Sequence, residues 1–411
     1  MKKLLLLTIA ATAISYASQA QYSEFQDNPA ASAFTLSSDN NILQIAGRTS
    51  AYYEQRTLKS GVTNMSHNGW GLKDADLDFF GKTANKFSYE FQISVVDIIT
   101  AAATRNDPSG NGNPGNPGFK AAYLQYNGWP VHIKFGYDKL PYSQGSISDV
   151  YATPMWSHAN LFGGDLFSRR DFGLTLNSTV LQNKINLFAG AYSGMGENFF
   201  EYGNDPSGRM EFVGRAEFCY PGKMKYHIID EENSPVPQFR VAVNARYTDK
   251  TQPAGHSIYT DEPDAPGMYG LRVIDGKRLA YGGDAIIKYK GISATFEAHI
   301  LQLQPQNTSD QLFEATPNSF NNGKVNAGGF ATGLNYNFEK IRSVFSVQYE
   351  DFNANDLIKG EQAWLYIGYA YKVSGFNSVL KAEYYIPTTE DKASNPLKYT
   401  GQLRVGYQLV F

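Results

Sequence analysis

Residues 402–411, QLRVGYQLVF, decide the fold. Leu403, Val405, Tyr407, Leu409 and Phe411 alternate without interruption with Gln402, Arg404, Gly406, Gln408 and Val410. Successive side chains of a β-strand point to opposite faces, so this rhythm marks a strand lying between two unlike surroundings. It returns at Phe239–Tyr247, at Phe87–Val95 and at Ile292–Ile300. About sixteen such segments are expected, near 42–53, 70–80, 87–98, 119–127, 131–138, 169–178, 184–193, 210–220, 238–248, 279–289, 292–302, 326–337, 341–352, 363–373, 378–386 and 397–411. Their lengths are roughly those of tilted membrane-crossing strands.

The connections alternate too. Long ones follow 53, fill 99–118 and fill 139–168; short ones fall at 81–86, at Gly128-Trp129-Pro130, at 179–183, between Tyr289 and Ile292, and at 374–377. The stretch 221–237 is the exception, long for its place. The pattern implies an all-β, transmembrane antiparallel β-barrel of about sixteen strands, with long extracellular loops and short periplasmic turns. A soluble sandwich has no reason to alternate long and short loops through sixteen segments. Lipid also demands closure, because no water is there to pair an open strand edge. Tyr52, Tyr53, Phe79, Phe80, Tyr126, Trp129, Tyr384 and Tyr385, near strand ends, are expected to form interfacial girdles, with some of them packing loops instead.

Lys2 and Lys3 precede an apolar run, Leu4–Ile14, and the small-residue stretch Ser18-Gln19-Ala20. This reads as an export signal over 1–20, followed by a short extension, 21–40, and a barrel over 41–411. Without the two signal lysines, 34 basic residues of the original 36 face 39 acids, about −5, which argues against a nucleic-acid partner. Cys219 is the only cysteine, so no intramolecular disulfide forms, and none lies beside the signal to accept lipid. The six histidines are scattered, and neither a His-Glu-x-x-His pair nor a nucleophile elbow occurs, so no metal, cofactor or catalytic site is expected. Gly110, Gly112 and Gly115 spell GxGxxG, but in a Pro/Asn/Gly-rich loop with no helix to aim at a phosphate.

Three landmarks resemble the porin O/P family: Gly136, Lys139, Pro141, Tyr142 and Ser143 in GYDKLPYS; Arg170-Asp171-Phe172-Gly173; and Gly214-Arg215-Ala216-Glu217 with Tyr220-Pro221. Weaker similarity runs from Gly47-Arg48 to the last residue. The resemblance implies a sixteen-stranded, usually trimeric outer-membrane barrel whose third loop narrows a pore. Where that family commonly has Arg-Arg-Ala-Arg-Leu in its second strand, this chain has Lys73-Asp74-Ala75-Asp76-Leu77. Alternation places Asp74, Asp76 and Asp78 inside.

The candidate pore-lining residues are Arg48, Asp74, Asp76, Asp78, Lys134, Lys139, Arg169, Asp171, Arg215, Arg240 and Arg246. Arg342 is expected inside as well. Acids and bases are similar in number there, so no strong phosphate or anion preference is expected. Two outcomes stay open for the aspartates: a row that repels anions, or a wall paired with bases such as Arg48. The expected function is passive diffusion of small hydrophilic solutes or ions; the alternative is a binding or adhesion barrel with a blocked lumen. A plugged transporter fits poorly, because some twenty residues before the first strand cannot fill a large barrel. Expected partners are outer-membrane lipid, two further copies of the chain, and the barrel-insertion machinery, which would read Phe411.

Overall fold

The computed structural model describes residues 34–58, 68–84, 86–99, 118–148, 151, 153–156, 169–196, 199–202, 204, 207–250, 276–305, 324–353, 362–388 and 399–411. The signal, the GxGxxG run and most of 249–278 lie outside them. Seventeen strands form one sheet. They are β1 (Phe34–Ser38), β2 (Asn41–Leu58), β3 (Gly69–Thr83), β4 (Phe87–Ser94), β5 (Phe119–Tyr126), β6 (Val131–Lys139), β7 (Arg170–Val180), β8 (Ile185–Tyr192), β9 (Glu211–Tyr220), β10 (Gln238–Lys250), β11 (Gly276–Tyr289), β12 (Ile292–Pro305), β13 (Val325–Phe338), β14 (Ser343–Asn353), β15 (Gln362–Ser374), β16 (Ser378–Pro387) and β17 (Tyr399–Val410). From β2 onward each strand pairs antiparallel with the next, and β17 returns to β2, with Val410 opposite Arg48. The result is a closed barrel of sixteen strands, β2 to β17.

The seventeenth strand lies in the stretch read as an extension. β1 folds back on the start of β2, with Phe34 opposite Ile45 and Ser38 opposite Asn41, on the edge that β17 leaves bare below Arg48. At the seam Phe411 exchanges both backbone hydrogen bonds with Gly47, at 2.7 and 2.9 Å. The short turns are as tight as expected. Lys290–Gly291 joins β11 to β12 with φ of 49° and 84°, the paired positive values of a two-residue hairpin turn that matches strand twist.

The two rows of alternation now have places. On β17 the row Leu403 to Phe411 is exposed on the outside, while Gln402, Gln408 and Val410 are buried within. On β4, Ser88, Glu90, Gln92 and Ser94 are all buried, and Phe91 stands outside. Among the described residues no helix is long and apolar enough to cross a membrane.

Two expectations are corrected by this geometry. Tyr52, Phe80 and Tyr385 do not join an outer girdle. They share parity with inward residues: Phe80 is buried, Tyr52 packs on Trp156 and Tyr385 on Tyr366. Adjacent strand residues cannot both face lipid, so only Tyr53, Phe79 and Tyr384 of those pairs point outward. Arg342 is not inside either. It occupies the tight 339–342 turn at φ 53° and is exposed.

Candidate functional site

β6 and β7 end early, at Lys139 opposite Arg170, and the chain there leaves the wall for the lumen. Leu140, Tyr142, Ile147, Met155 and Trp156 are all buried. A short helix, Gln144–Ile147, begins where the Ser143 hydroxyl accepts the Ser146 amide at 2.9 Å. Lys139 Nζ donates to Ile147 O at 3.1 Å, and Arg169 donates to Ser146 O and Ser148 O at 3.3 and 3.1 Å. These two cations therefore satisfy helix-end carbonyls. Asp171 does similar work for the next loop, accepting the Gly194 amide at 2.7 Å and the Ser193 hydroxyl.

The inward segment is gripped from the wall two and three strands on, at β9 and β10. Arg215 Nη1 donates to Tyr142 O at 2.7 Å and is held by Asp284 at 2.6 and 2.8 Å and by Glu217 at 2.5 Å. Arg246 pairs with Glu211 at 2.5 and 2.9 Å and lies 5.4 Å from the Tyr142 ring. Arg240 donates to the Gln144 carboxamide. Farther along, Gln408 Nε2 donates to Tyr151 O at 2.7 Å, and the Trp156 amide donates to Glu383 at 2.6 Å. Pro154 and Met155 press on Gly368 of β15, where a Cβ would lie 2.9 Å from the Met155 sulfur, so a larger residue there would require the Met155 side chain to shift.

A second segment enters from the opposite rim. Residues 221–237 fold inward, burying Met224, Tyr226, Ile229 and Asp230. Ile229 packs on Val344, Ala370 and Val379. Ser293 donates to Ile228 O at 2.7 Å, and Asn337 to Asp230 O at 3.1 Å. Tyr226 donates to Glu217 at 2.7 Å beneath the Arg240 guanidinium, 4.1 Å from its ring. The two segments touch: Tyr226 O accepts from Gln144 at 2.8 Å and from Ser148 at 2.5 Å, and Tyr151 and His227 stack edge to face at 5.0 Å. At the rim, Lys225, 2.7 Å from Glu232, holds that carboxyl below its ordinary range.

The aspartate row lies on the remaining wall. Arg48 is 3.3 Å from Asp74 and 2.8 Å from Asp76, and Lys120 is 3.5 Å from Asp74 and 3.0 Å from Asp76. Asp78 is buried next in the row, opposite Ala46 and Gln92. Lys134 pairs with Asp138. Of the candidate residues, then, Arg48, Asp74 and Asp76 come together, Lys139, Arg169 and Asp171 secure loop ends, and Arg215, Arg240 and Arg246 hold the inward segment. The interior residues not among the candidates include Tyr142, Gln144, Tyr151 and Trp156, whose advance signal was the GYDKLPYS resemblance with its inward third loop, and Tyr226 and His227, whose signal was the excess length of 221–237. Among the described residues no group of three His, Cys, Asp or Glu side chains is placed to hold a metal ion.

No protein-family model matches the chain, and no curated sequence is significantly similar to it. Solved barrels are similar in shape. Salmonella typhi OmpF in complex with daunomycin aligns at 12% identity over 92% of this chain and 100% of its own, with a TM-score of 0.56. An anion-selective porin from Comamonas acidovorans aligns at 10% identity over 90% and 99%, at 0.54. OmpT of Vibrio cholerae in trimer form aligns at 12% identity over 91% and 100%, at 0.51. At such identities the likeness is one of fold.

Proposed function

We propose that this chain is a porin of the bacterial outer membrane, of the porin O/P type, passing small hydrophilic solutes or ions through a lumen narrowed from both rims. The observation that carries the reading is a closed barrel with an apolar outside and a charged inside, crossed by a segment that leaves the wall at Lys139. A third loop folding inward is what the GYDKLPYS resemblance implies, and the burial of Leu140, Tyr142, Ile147, Met155 and Trp156 supports it. Trimeric assembly follows from the same resemblance, and native electrophoresis of the detergent-extracted protein tests it. Orientation follows from the loops, with the long connections outside the cell. Conductance across a planar bilayer tests the pore directly: the expected result is discrete ohmic steps, and protein that inserts without conducting ends the reading.

One observation favours the second reading, a barrel with a blocked lumen. Arg215, Arg240, Arg246 and Arg278 are all at most 3% exposed, although they stand on the inner wall. A wide water-filled bore would bathe them. The same bilayer measurement separates the two, since a blocked barrel gives no steps.

A further inference from the structure

β9 and β10 are paired right up to Tyr220 and Phe239, so a two-residue turn like Lys290–Gly291 would join them. The seventeen residues of 221–237 exceed what closure needs. They divide into two parts. Residues 228–234 are fixed to the wall: Ile229 sits in its apolar seat, Asp230 accepts the Gly291 amide at 2.8 Å, and Lys290 donates its amide to Ser234 O at 2.9 Å. The tip, Tyr226 and His227, is what meets the segment from the other rim. Among the described residues that joint includes one carbonyl with two donors, the Tyr151–His227 pair, and an apolar touch of Tyr226 on Ile147 and Phe188. Closure also leaves a polar cost in place. Nε and Nη1 of Arg240, buried beside the Tyr226 ring, have no hydrogen-bond partner among the described residues. Water reaching them as the tip lifts would restore those bonds.

We propose that Tyr226 and His227 form, with Gln144, Ser148 and Tyr151, a releasable latch inside the barrel, closed in this structure, whose parting opens the through-path while the wall stays intact. The proposal rests on the pore reading above. It is a two-state element of the kind that small polar joints between rigid bodies permit. Its base is wall-anchored and its counterpart is held by Arg215, Lys139 and Arg169, so motion centres on the tip, which must also release the Tyr226 hydroxyl from Glu217 and its ring from Arg240.

The test uses the full chain in planar bilayers, with Tyr151→Cys and His227→Cys on a Cys219→Ser background and a short bifunctional thiosulfonate that reductant cleaves. Untreated channels are expected to switch between a low and a high level. Cross-linked channels should stay low, with open time reduced at least tenfold, and reductant should restore switching. His227→Ala alone should lengthen open time severalfold. Cross-linked protein that switches like the untreated protein, or untreated protein fixed at a single level, overturns the latch. A variant with 223–236 replaced by Asn-Gly, its folding checked by heat-modifiable migration, should stay high. If that folded variant is silent, the pore reading itself fails, and the latch with it.

Discussion

Arg215 lies fully buried between Asp284, Glu217 and the Tyr142 carbonyl. Removing one partner of such a network strands the others in a dry site, so Arg215→Ala is expected to cost about 3–5 kcal/mol, read as a lower denaturant midpoint in detergent. Arg215→Lys should recover only part of this, because a point charge cannot make the bidentate contact with Asp284. The aspartate row leads to a different expectation. Arg48 and Lys120 carry as many charges as Asp74 and Asp76, so the four together add little net field. Asp74→Asn with Asp76→Asn should shift the reversal potential toward anions by freeing two bases. Adding Arg48→Gln and Lys120→Gln should return it to the wild-type value; a quadruple variant that stays shifted would show that the row acts unpaired. That these residues face inward was legible from alternation alone. That Arg240 meets Gln144, 96 residues away, was not, because the contact depends on a segment crossing the lumen rather than on either local pattern.

At the scale of elements, the strands were the most legible part. The alternation in 402–411 and in 87–95 fixed which face each residue takes, and the observed rows agree. The girdle was less legible, because strand parity splits Tyr52-Tyr53, Phe79-Phe80 and Tyr384-Tyr385, sending one member of each pair outward and the other inward. The inward fold of 221–237 was signalled only by its length; Met224, Tyr226 and Ile228 alternate as a strand would, and that local pattern says nothing of a segment entering the lumen. Gly136 supplies a sharper element-level test. Its φ is 137°, and a Cβ there would lie 2.2 Å from Ala122 O across the β5–β6 pair. Gly136→Val should therefore push β6 off β5 just before the chain turns inward, and heat-resistant migration should be lost. Unchanged migration would mean that the pair absorbs the strain.

For the whole molecule, the alternation of connections assigns the two rims to opposite sides of the membrane. Protease-site tags at 290–291 and 374–377 should survive on intact cells, while tags at 110–115 and 255–265, outside the described residues, should be cut; the opposite pattern would invert the orientation. Deleting Phe411 should lower surface assembly, because it removes the last two backbone bonds of the seam as well as the aromatic end of the outward row. β1 gives that seam one more property. Its first residue faces Ile45 on the very edge of β2 where β17 stops at Gly47, so the two strands stand end to end along one rail. A closing strand free to slide by one residue would turn every side chain to the wrong face. Placed just past the end of β17 on the same edge, β1 is expected to oppose that slide in one direction. Without residues 34–38, the last strand has nothing to halt against, and disulfide trapping between Val410→Cys and residues on either side of Arg48 should then capture more than one register.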